Sequence, residues 1–372
     1  MRKLKRRKPQ YSGRHAADSV TRAIRRASRK KQESPVDFLH SGAHTLNLAL
    51  SGKGKGGGWA RGRVLNIVGD GSSGKTICAL ELAYWCFKML KKVRSKIFPN
   101  VKKVTIVYNN CEGVMDFPLI KMYGEEFVAG VEWVCIKTIE QCSRDYIRRM
   151  DTLKNGEFLL YIIDSWDALG SVDRNKRMEK SIAEDKDMDG SYGLEKHKYS
   201  GLFFETISGR MANNAKDATL FIISQVRTKI GVTFGKKTYR AGGKALDFYT
   251  HQVAWIAEAE KLTKTKRKRK RVYGIRSKVK VERSKVGKPF RESEFTILFD
   301  YGIDDVSSMA DFLWGKGAAK FDGSTFTQRP SFIKHIESDK RHEDKLINQT
   351  EEEWFAIEEE FEKEVSGRKK KY

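Results

Sequence analysis

Residues 69–76 read Gly-Asp-Gly-Ser-Ser-Gly-Lys-Thr, which fits the spacing G-x-x-x-x-G-K-[ST] at every position. The apolar run Val64–Val68 leads into it and the helix-forming stretch Thr76–Leu90 follows, so the motif stands between a strand and a helix. That context is what the motif's physics needs. Glycines let backbone N–H groups curl around phosphate oxygens, and the positive end of the following helix adds to the attraction. Gly69, Asp70, Gly71, Ser72, Ser73 and Gly74 are the expected cradle. Lys75 is expected on the β- and γ-phosphates of ATP, and the Thr76 hydroxyl on Mg2+.

A chain with this loop should carry a parallel sheet, and the remaining signals agree. Strand candidates are Val64–Val68, Val104–Tyr108, Val131–Ile136, Phe158–Ile163 and Thr219–Ser224. Each is a continuous apolar or β-branched run, as strands buried on both faces require. Helical stretches at about 75–91, 117–125, 139–153 and 194–214 alternate with them. This pattern predicts an α/β fold with a mostly parallel central sheet flanked by helices. Shorter strands at 253–260, 272–286 and 294–299 read as antiparallel hairpins extending that sheet, and Thr350–Val365 as an acidic helix. The domain boundaries expected are 1–38 for a basic N-terminal extension, 39–304 for the ATPase core and 305–372 for a small C-terminal region.

Two acids stand at predicted strand ends, where α/β folds bind ligands. Asp164 ends the run Phe158–Ile163 and is the candidate second holder of hydrated magnesium. Glu112 lies just beyond Val104–Tyr108 and is a candidate for orienting the attacking water.

The net charge is +25, and its distribution matters more than its size. Residues 1–31 hold 13 Lys and Arg against one acid, and residues 261–291 hold 15 against one, so the rest of the chain is near neutral. Two such segments point to a polyanionic partner, nucleic acid first. Residues 16–31 show a narrow apolar stripe (Ala17, Val20, Ile24, Ala27) and read as a basic helix. The five cysteines show no CxxC pair and the seven histidines are dispersed, so the thiols are expected to be buried and reduced, with no zinc site. No apolar run approaches the length needed to span a bilayer, and the basic N-terminus has no secretory h-region behind it. No membrane association and a cytoplasmic location are expected.

Several segments together resemble the RecA recombinases of bacteria and their phage counterparts, over roughly residues 39–313. The likeness runs through His40–Leu50, Ser72–Thr76 and Glu112–Asp116. It is densest in Ser224–Gly235 and Gly242–Tyr249, similar to that family's second DNA loop, and in Val279–Phe290 continuing to Ile303. The resemblance implies a catalytic role for Glu112, an adenine contact for Asp116, and for Gln225 a γ-phosphate sensor coupled to the DNA loop after it. It implies that Arg283 and Lys285 reach a neighbouring subunit's ATP. Contacts to single-stranded DNA fall on Arg227, Lys229, Ile230, Gly242, Gly243 and Lys244, with Tyr192 and Ser200 near a first DNA loop. The helix at 16–31 matches a helix the family packs on the next subunit.

The sequence also departs from the family pattern. Residues 171–191 form a longer, acid-bearing loop before Tyr192. Leu119 replaces an adenine-stacking tyrosine, Arg283 replaces a lysine, and the end is basic where bacterial members are acidic. These departures lean towards a phage-encoded relative, acting in the host cytoplasm at the nucleoid.

The expected function is ATP-dependent homologous pairing and strand exchange by a helical homo-oligomer on single-stranded DNA, acting on double-stranded DNA, with DNA-stimulated hydrolysis. Single-strand-binding and loader proteins are the implied partners. A ring helicase of the same superfamily and an ATP-binding accessory filament protein with little turnover are the alternatives. The helicase lacks a reason for the match at 224–249. The accessory protein lacks one for an intact Lys75, Glu112 and Asp164.

Overall fold

The continuous apolar runs become the interior of one large mixed sheet. The computed structural model describes residues 36–113, 115–185, 194–228, 238–240, 243–314 and 317–366. The expected helix at 16–31 lies outside them. A small pair, β1 (Phe38–Leu39) and β2 (Trp59–Ala60), precedes the main sheet. That sheet comprises β3 (Val64–Gly69), β4 (Lys103–Asn110), β5 (Val131–Val134), β6 (Glu157–Asp164), β7 (Ala218–Thr228), β8 (Thr238–Arg240), β9 (Gln252–Lys266), β10 (Arg269–Ser284), β11 (Glu292–Leu298) and β12 (Gly302–Asp304). Its order is β12-β11-β10-β9-β3-β7-β6-β4-β5, with β8 added antiparallel to the end of β7. From β5 to β9 the neighbours are parallel, and from β9 to β12 they are antiparallel.

Period-2 alternation decides which side chains face which layer. Leu159, Tyr161, Ile163, Leu220 and Ile222 pack with Ile139, Tyr146, Phe203 and Phe204, on the helices Ile139–Thr152 and Leu194–Met211. The intervening residues, Phe158, Leu160, Ile162 and Phe221, turn to the other face, which carries the helix Lys75–Met89. There Phe221 meets Trp59 edge-on, with ring centroids 5.1 Å apart. One ion pair is enclosed on that side. Arg61 and Asp217 make a two-bond contact, at 3.0 and 2.5 Å, beneath the rings of Phe98 and Phe158.

The C-terminal region has its own small core of Met309, Ala310, Phe321, Phe332, Ile336 and Leu346, between the helices Asp305–Leu313, Arg329–Glu337 and Lys340–Ser366 and the hairpin β13 (Ala319–Phe321)–β14 (Ser324–Phe326). It is tied to the sheet by polar contacts. Asp305 accepts from the His44 backbone N–H at 2.7 Å and meets the His44 ring at 2.6 Å. Glu358 pairs with Lys288 and Arg291.

Four local expectations are corrected. The acidic helix starts at Lys340, ten residues before Thr350, because the charged turn Lys340–Gln349 hides its apolar contacts (Leu346, Ile347) among polar residues. The stretch 117–125 is two short helices, Leu119–Tyr123 and Glu125–Gly130, broken at Gly124, which has a positive φ. Part of the supposed loop 171–191 is the helix Val172–Glu184, which Ser171 caps by accepting from the Arg174 N–H. Cys135 is exposed, because β5 ends at Val134 and leaves the thiol outside the core.

Candidate nucleotide and DNA site

The loop after β3 is held in shape by its own residues. Gly69 aligns with Gln225 of β7 on one side and Ile256 of β9 on the other. A Cβ on Gly69 would stand 2.4 Å from the Ile256 carbonyl oxygen. At Gly74, with φ +101°, a Cβ would stand 2.3 Å from Ile297 Cδ1. At Gly69 the obstacle is sheet backbone, whereas at Gly74 a side chain is opposed by the positive φ and by the tip of Ile297. Ser73 Oγ and Lys75 Nζ donate to the Asp70 carbonyl at 2.8 and 2.5 Å, and Ser277 Oγ of β10 donates to the Ser73 carbonyl at 2.9 Å. The helix that begins at Lys75 has no side-chain cap, so its first N–H groups face the loop. Burial lowers the Lys75 pKa, and the carboxylates of Asp164, Asp70, Glu112 and Asp167 oppose that shift. The site therefore has an excess of negative charge around one ammonium.

Asp164 ends β6 and is 8% exposed. Its Oδ2 accepts from Thr76 Oγ1 at 3.0 Å and from the buried Tyr108 hydroxyl at 2.6 Å. Burial raises its pKa first, with the two donors and Lys75 pulling the other way. Among the described residues Oδ1 takes no hydrogen bond, and no three His, Cys, Asp or Glu side chains converge as metal ligands. A hard cation here would complete its shell with water and phosphate oxygens, which is how magnesium usually binds beside a nucleotide. The Thr76 hydroxyl and Asp164 fit that requirement.

Glu112 stands two residues past β4 and is exposed. Its Oε1 accepts from Ser165 Oγ at 2.9 Å and from Gln225 Nε2 at 3.3 Å. The Gln225 backbone N–H donates to Asp167 Oδ2 at 2.8 Å, and Arg227 Nε lies 3.7 Å from Asp167 Oδ1. Lys196, whose pKa burial lowers to about 8, donates to the carbonyls of Trp166 and Asp167. A continuous polar path thus joins the end of β4 to the outgoing end of β7.

Other expected residues are placed apart. Asp116 is exposed on the segment leading to the helix Leu119–Tyr123. Beside this segment, Lys121 pairs with Asp300 at 2.9 Å, on the turn that carries the exposed Phe299 and Tyr301. Arg283 and Lys285 sit at the opposite end of the sheet from Gly69. Arg283 aligns with Val253, three or more residues back along the strands, roughly 10 Å. There Arg283 and Lys285 donate to the Asp247 and Phe248 carbonyls at the end of the helix Gly243–Tyr249. Tyr192, Lys229, Ile230 and Gly242 lie outside the described residues, as does the side chain of Lys244, which follows Gly243 at the start of that helix. Ser200 lies on the helix Leu194–Met211. It is 1% exposed and its hydroxyl donates to the Lys196 carbonyl at 2.6 Å, because this side of its helix faces the sheet.

Tyr108, Ser165, Asp167, Lys196 and Ser277 were not foreseen at the site. A weak signal existed for Tyr108, a polar ring in an otherwise apolar strand. None existed for Ser277, which depends on the pairing of β9 with β10.

Compared with known proteins, residues 159–304 match the RecA N-terminal domain. Protein RecA of Trichodesmium erythraeum (strain IMS101) is 31% identical over 320 residues, 82% of this chain and 76% of that one. Protein RecA of Arthrospira platensis is 30% identical over 300 residues, 78% and 70%. The chloroplastic DNA repair protein recA homolog 1 of Arabidopsis thaliana is 29% identical over 279 residues, which is 74% of this chain but just 55% of the Arabidopsis protein. The fold, the phosphate loop and these likenesses agree, and the chain belongs to the RecA family.

Proposed function

We propose that the protein is an ATP-dependent DNA recombinase that assembles on single-stranded DNA, pairs it with a homologous duplex and exchanges strands. The observation that carries this reading is the contact of Gln225 with Glu112. Gln225 is the last β7 residue level with the phosphate loop, and β7 runs on through Arg227 into the segment that resembles a DNA loop. A side chain that touches the candidate water-orienting carboxylate and stands on the DNA strand can couple occupancy of one site to the other.

In this reading the loop N–H groups and Lys75 bind the triphosphate. Thr76 and Asp164 hold magnesium, which supplies neutralisation of phosphate charge. Glu112 orients water for attack on the γ-phosphate. Tyr108 keeps the Asp164 carboxylate turned towards Thr76. Asp116, Phe299 and Tyr301 border the base. Arg283 and Lys285, at the far end of the sheet, serve a neighbouring subunit's nucleotide, which makes the site complete only between two copies.

The test is ATP turnover with and without single-stranded DNA, for wild type and Glu112→Gln, with filaments followed by electron microscopy. We expect strong DNA stimulation in wild type and a loss of about 10²-fold or more in the variant while filaments persist. Negligible wild-type turnover with DNA present would put an accessory filament protein in its place. Equal turnover without DNA would break the Gln225 coupling.

A further inference from the structure

The turn after β6 carries a second buried carboxylate. Asp167 stands in the short helix Trp166–Ala168, and its side chain is 5% exposed. β6 keeps pace with β7 only as far as the pair Ile163–Ile222, so the backbone of Gln225 has no β6 residue to bond to on that side. Asp167 fills the gap, its Oδ2 accepting from the Gln225 N–H at 2.8 Å. Any neutral oxygen would do that work. The charge, and the second oxygen, need another reason. Oδ1 is buried and takes no hydrogen bond among the described residues, an arrangement that is costly for a carboxylate.

What faces Oδ1 is Arg227. Its Nε lies 3.7 Å away, inside ion-pair range but too far for a hydrogen bond. Lys196, the neighbouring cation, donates instead to the Trp166 and Asp167 carbonyls, at 2.5 and 3.4 Å. The Arg227 side chain is 57% exposed, so an anion from solvent can reach the guanidinium that Asp167 holds loosely from within. Gln225 and Arg227 are two residues apart on β7 and share one face of it. One carboxylate therefore grips the backbone of the residue that meets Glu112 and the charge of the residue that leads towards the DNA loop.

We propose that Asp167 is a positioning residue that holds Arg227 back from single-stranded DNA until a phosphate displaces it, and so sets the DNA concentration at which turnover switches on. This deepens the proposed function and rests on it, since it takes β7 as the strand that leads to DNA. The guanidinium has two anionic claimants. Without DNA it stays beside Oδ1, and the carboxylate weakens the pull on an incoming phosphate by its like charge. Once a phosphate takes the guanidinium fork, the ion pair opens. The Gln225 N–H stays on Oδ2, so Gln225 keeps its place beside Glu112. The two oxygens thus divide the work: one resists DNA, and the other preserves the coupling that DNA is to trigger.

The experiment measures binding of full-length protein to a fluorescein-labelled 30-nucleotide oligothymidylate, over a range of salt and with a non-hydrolysable ATP analogue present. The proteins are wild type, Asp167→Asn, Arg227→Gln and the double variant. Asn keeps an oxygen for the Gln225 N–H and removes the charge. We expect it to tighten binding by about three- to tenfold and to steepen the salt slope by about 0.7, one phosphate contact on a single strand. With Gln at 227 the same change should alter binding by no more than about 1.5-fold, because Asp167 acts through Arg227. In turnover assays the half-saturating DNA concentration should fall in step with the affinity. Asp167→Ala, which also strips the Gln225 N–H of its acceptor, should reach a plateau rate about tenfold below that of Asp167→Asn. A purely structural Asp167 would lower stability in both variants and leave half-saturation and salt slope unmoved, which overturns the proposal. An equal gain with Gln at 227 overturns it too. If circular dichroism shows Asp167→Asn misfolded, Asp167→Ser replaces it with the same expectations. Should DNA fail to stimulate wild-type turnover, the recombinase reading falls, while the cycle of affinities still decides this one.

Discussion

Between β5 and β3 the strands run parallel and, apart from the edge strand β5, bury both faces, whereas between β9 and β12 they run antiparallel and carry cations out into solvent. In the parallel half, charged groups gather at strand ends, where Asp164 and Glu112 stand, in the enclosed Arg61–Asp217 pair and at Glu132 of the edge strand β5. In the antiparallel half they alternate along the strands and peak in the ribbon of residues 262–273, the end of the β9–β10 hairpin that neither β3 nor β11 flanks. One half positions a few groups tightly; the other spreads many over a surface. A side chain should therefore matter to stability in the first half and to binding in the second. The largest expected contrast is between Phe221→Ala and Val272→Ala. Phe221 is fully buried, beside Trp59, on a strand flanked by β3 and β6. Its truncation should cost about 3–5 kcal/mol in urea unfolding, while that of Val272 should stay within about 0.5 kcal/mol. Equal losses would mean that the ribbon is part of the cooperative core.

The same contrast explains what could be read from the amino acids alone. Apolar runs such as Phe158–Ile163 announce buried parallel strands, and the acids at their ends are local features, so Asp164 and Glu112 were legible. The antiparallel hairpins were legible as elements but not in extent, since β9 and β10 continue through Lys264–Arg271, where charge masks the alternation. Contacts that need register were not legible at all. Tyr108 reaches Asp164 because β4 and β6 are neighbours, and Asp167 reaches Gln225 because a turn after β6 folds over β7. The orientation of Ser200 within its helix was hidden for the same reason, as helix periodicity there is blurred by apolar residues on more than one side.

A smaller effect is expected where the two halves join. Glu81, on the helix after the phosphate loop, accepts from the Tyr123 hydroxyl and from the Ile303 N–H of β12, both at 3.1 Å. Burial is the main cause that raises its pKa to about 7, from an ordinary 4.5. Between those values the folded state binds more protons than the unfolded one, so this carboxyl makes the fold less stable as pH rises from about 4.5 to 7. Gln keeps the acceptor oxygen and removes the titration. Glu81→Gln should match wild type near pH 4.5 and exceed it by about 1–2 kcal/mol above pH 7, in urea unfolding at each pH. His40, whose pKa burial pushes down to about 4, is common to both proteins and cancels in the difference. A difference that does not change with pH would show that Glu81 is ionised throughout and that the joint is wet.

The smallest effect tests whether the ribbon's weakness is built into its turn. Replacing Arg267 with Asn and Lys268 with Gly supplies residues suited to the positive φ that both positions adopt, and removes two unpaired charges. The gain should be about 0.5–1 kcal/mol and should be local, because the ribbon packs against neither β3 nor β11. Global unfolding should therefore barely move, while hydrogen exchange of the amides in residues 262–273 slows by up to about fivefold. Faster exchange would mean that the turn departs from the type I′ geometry and that Arg267 and Lys268 are not strained.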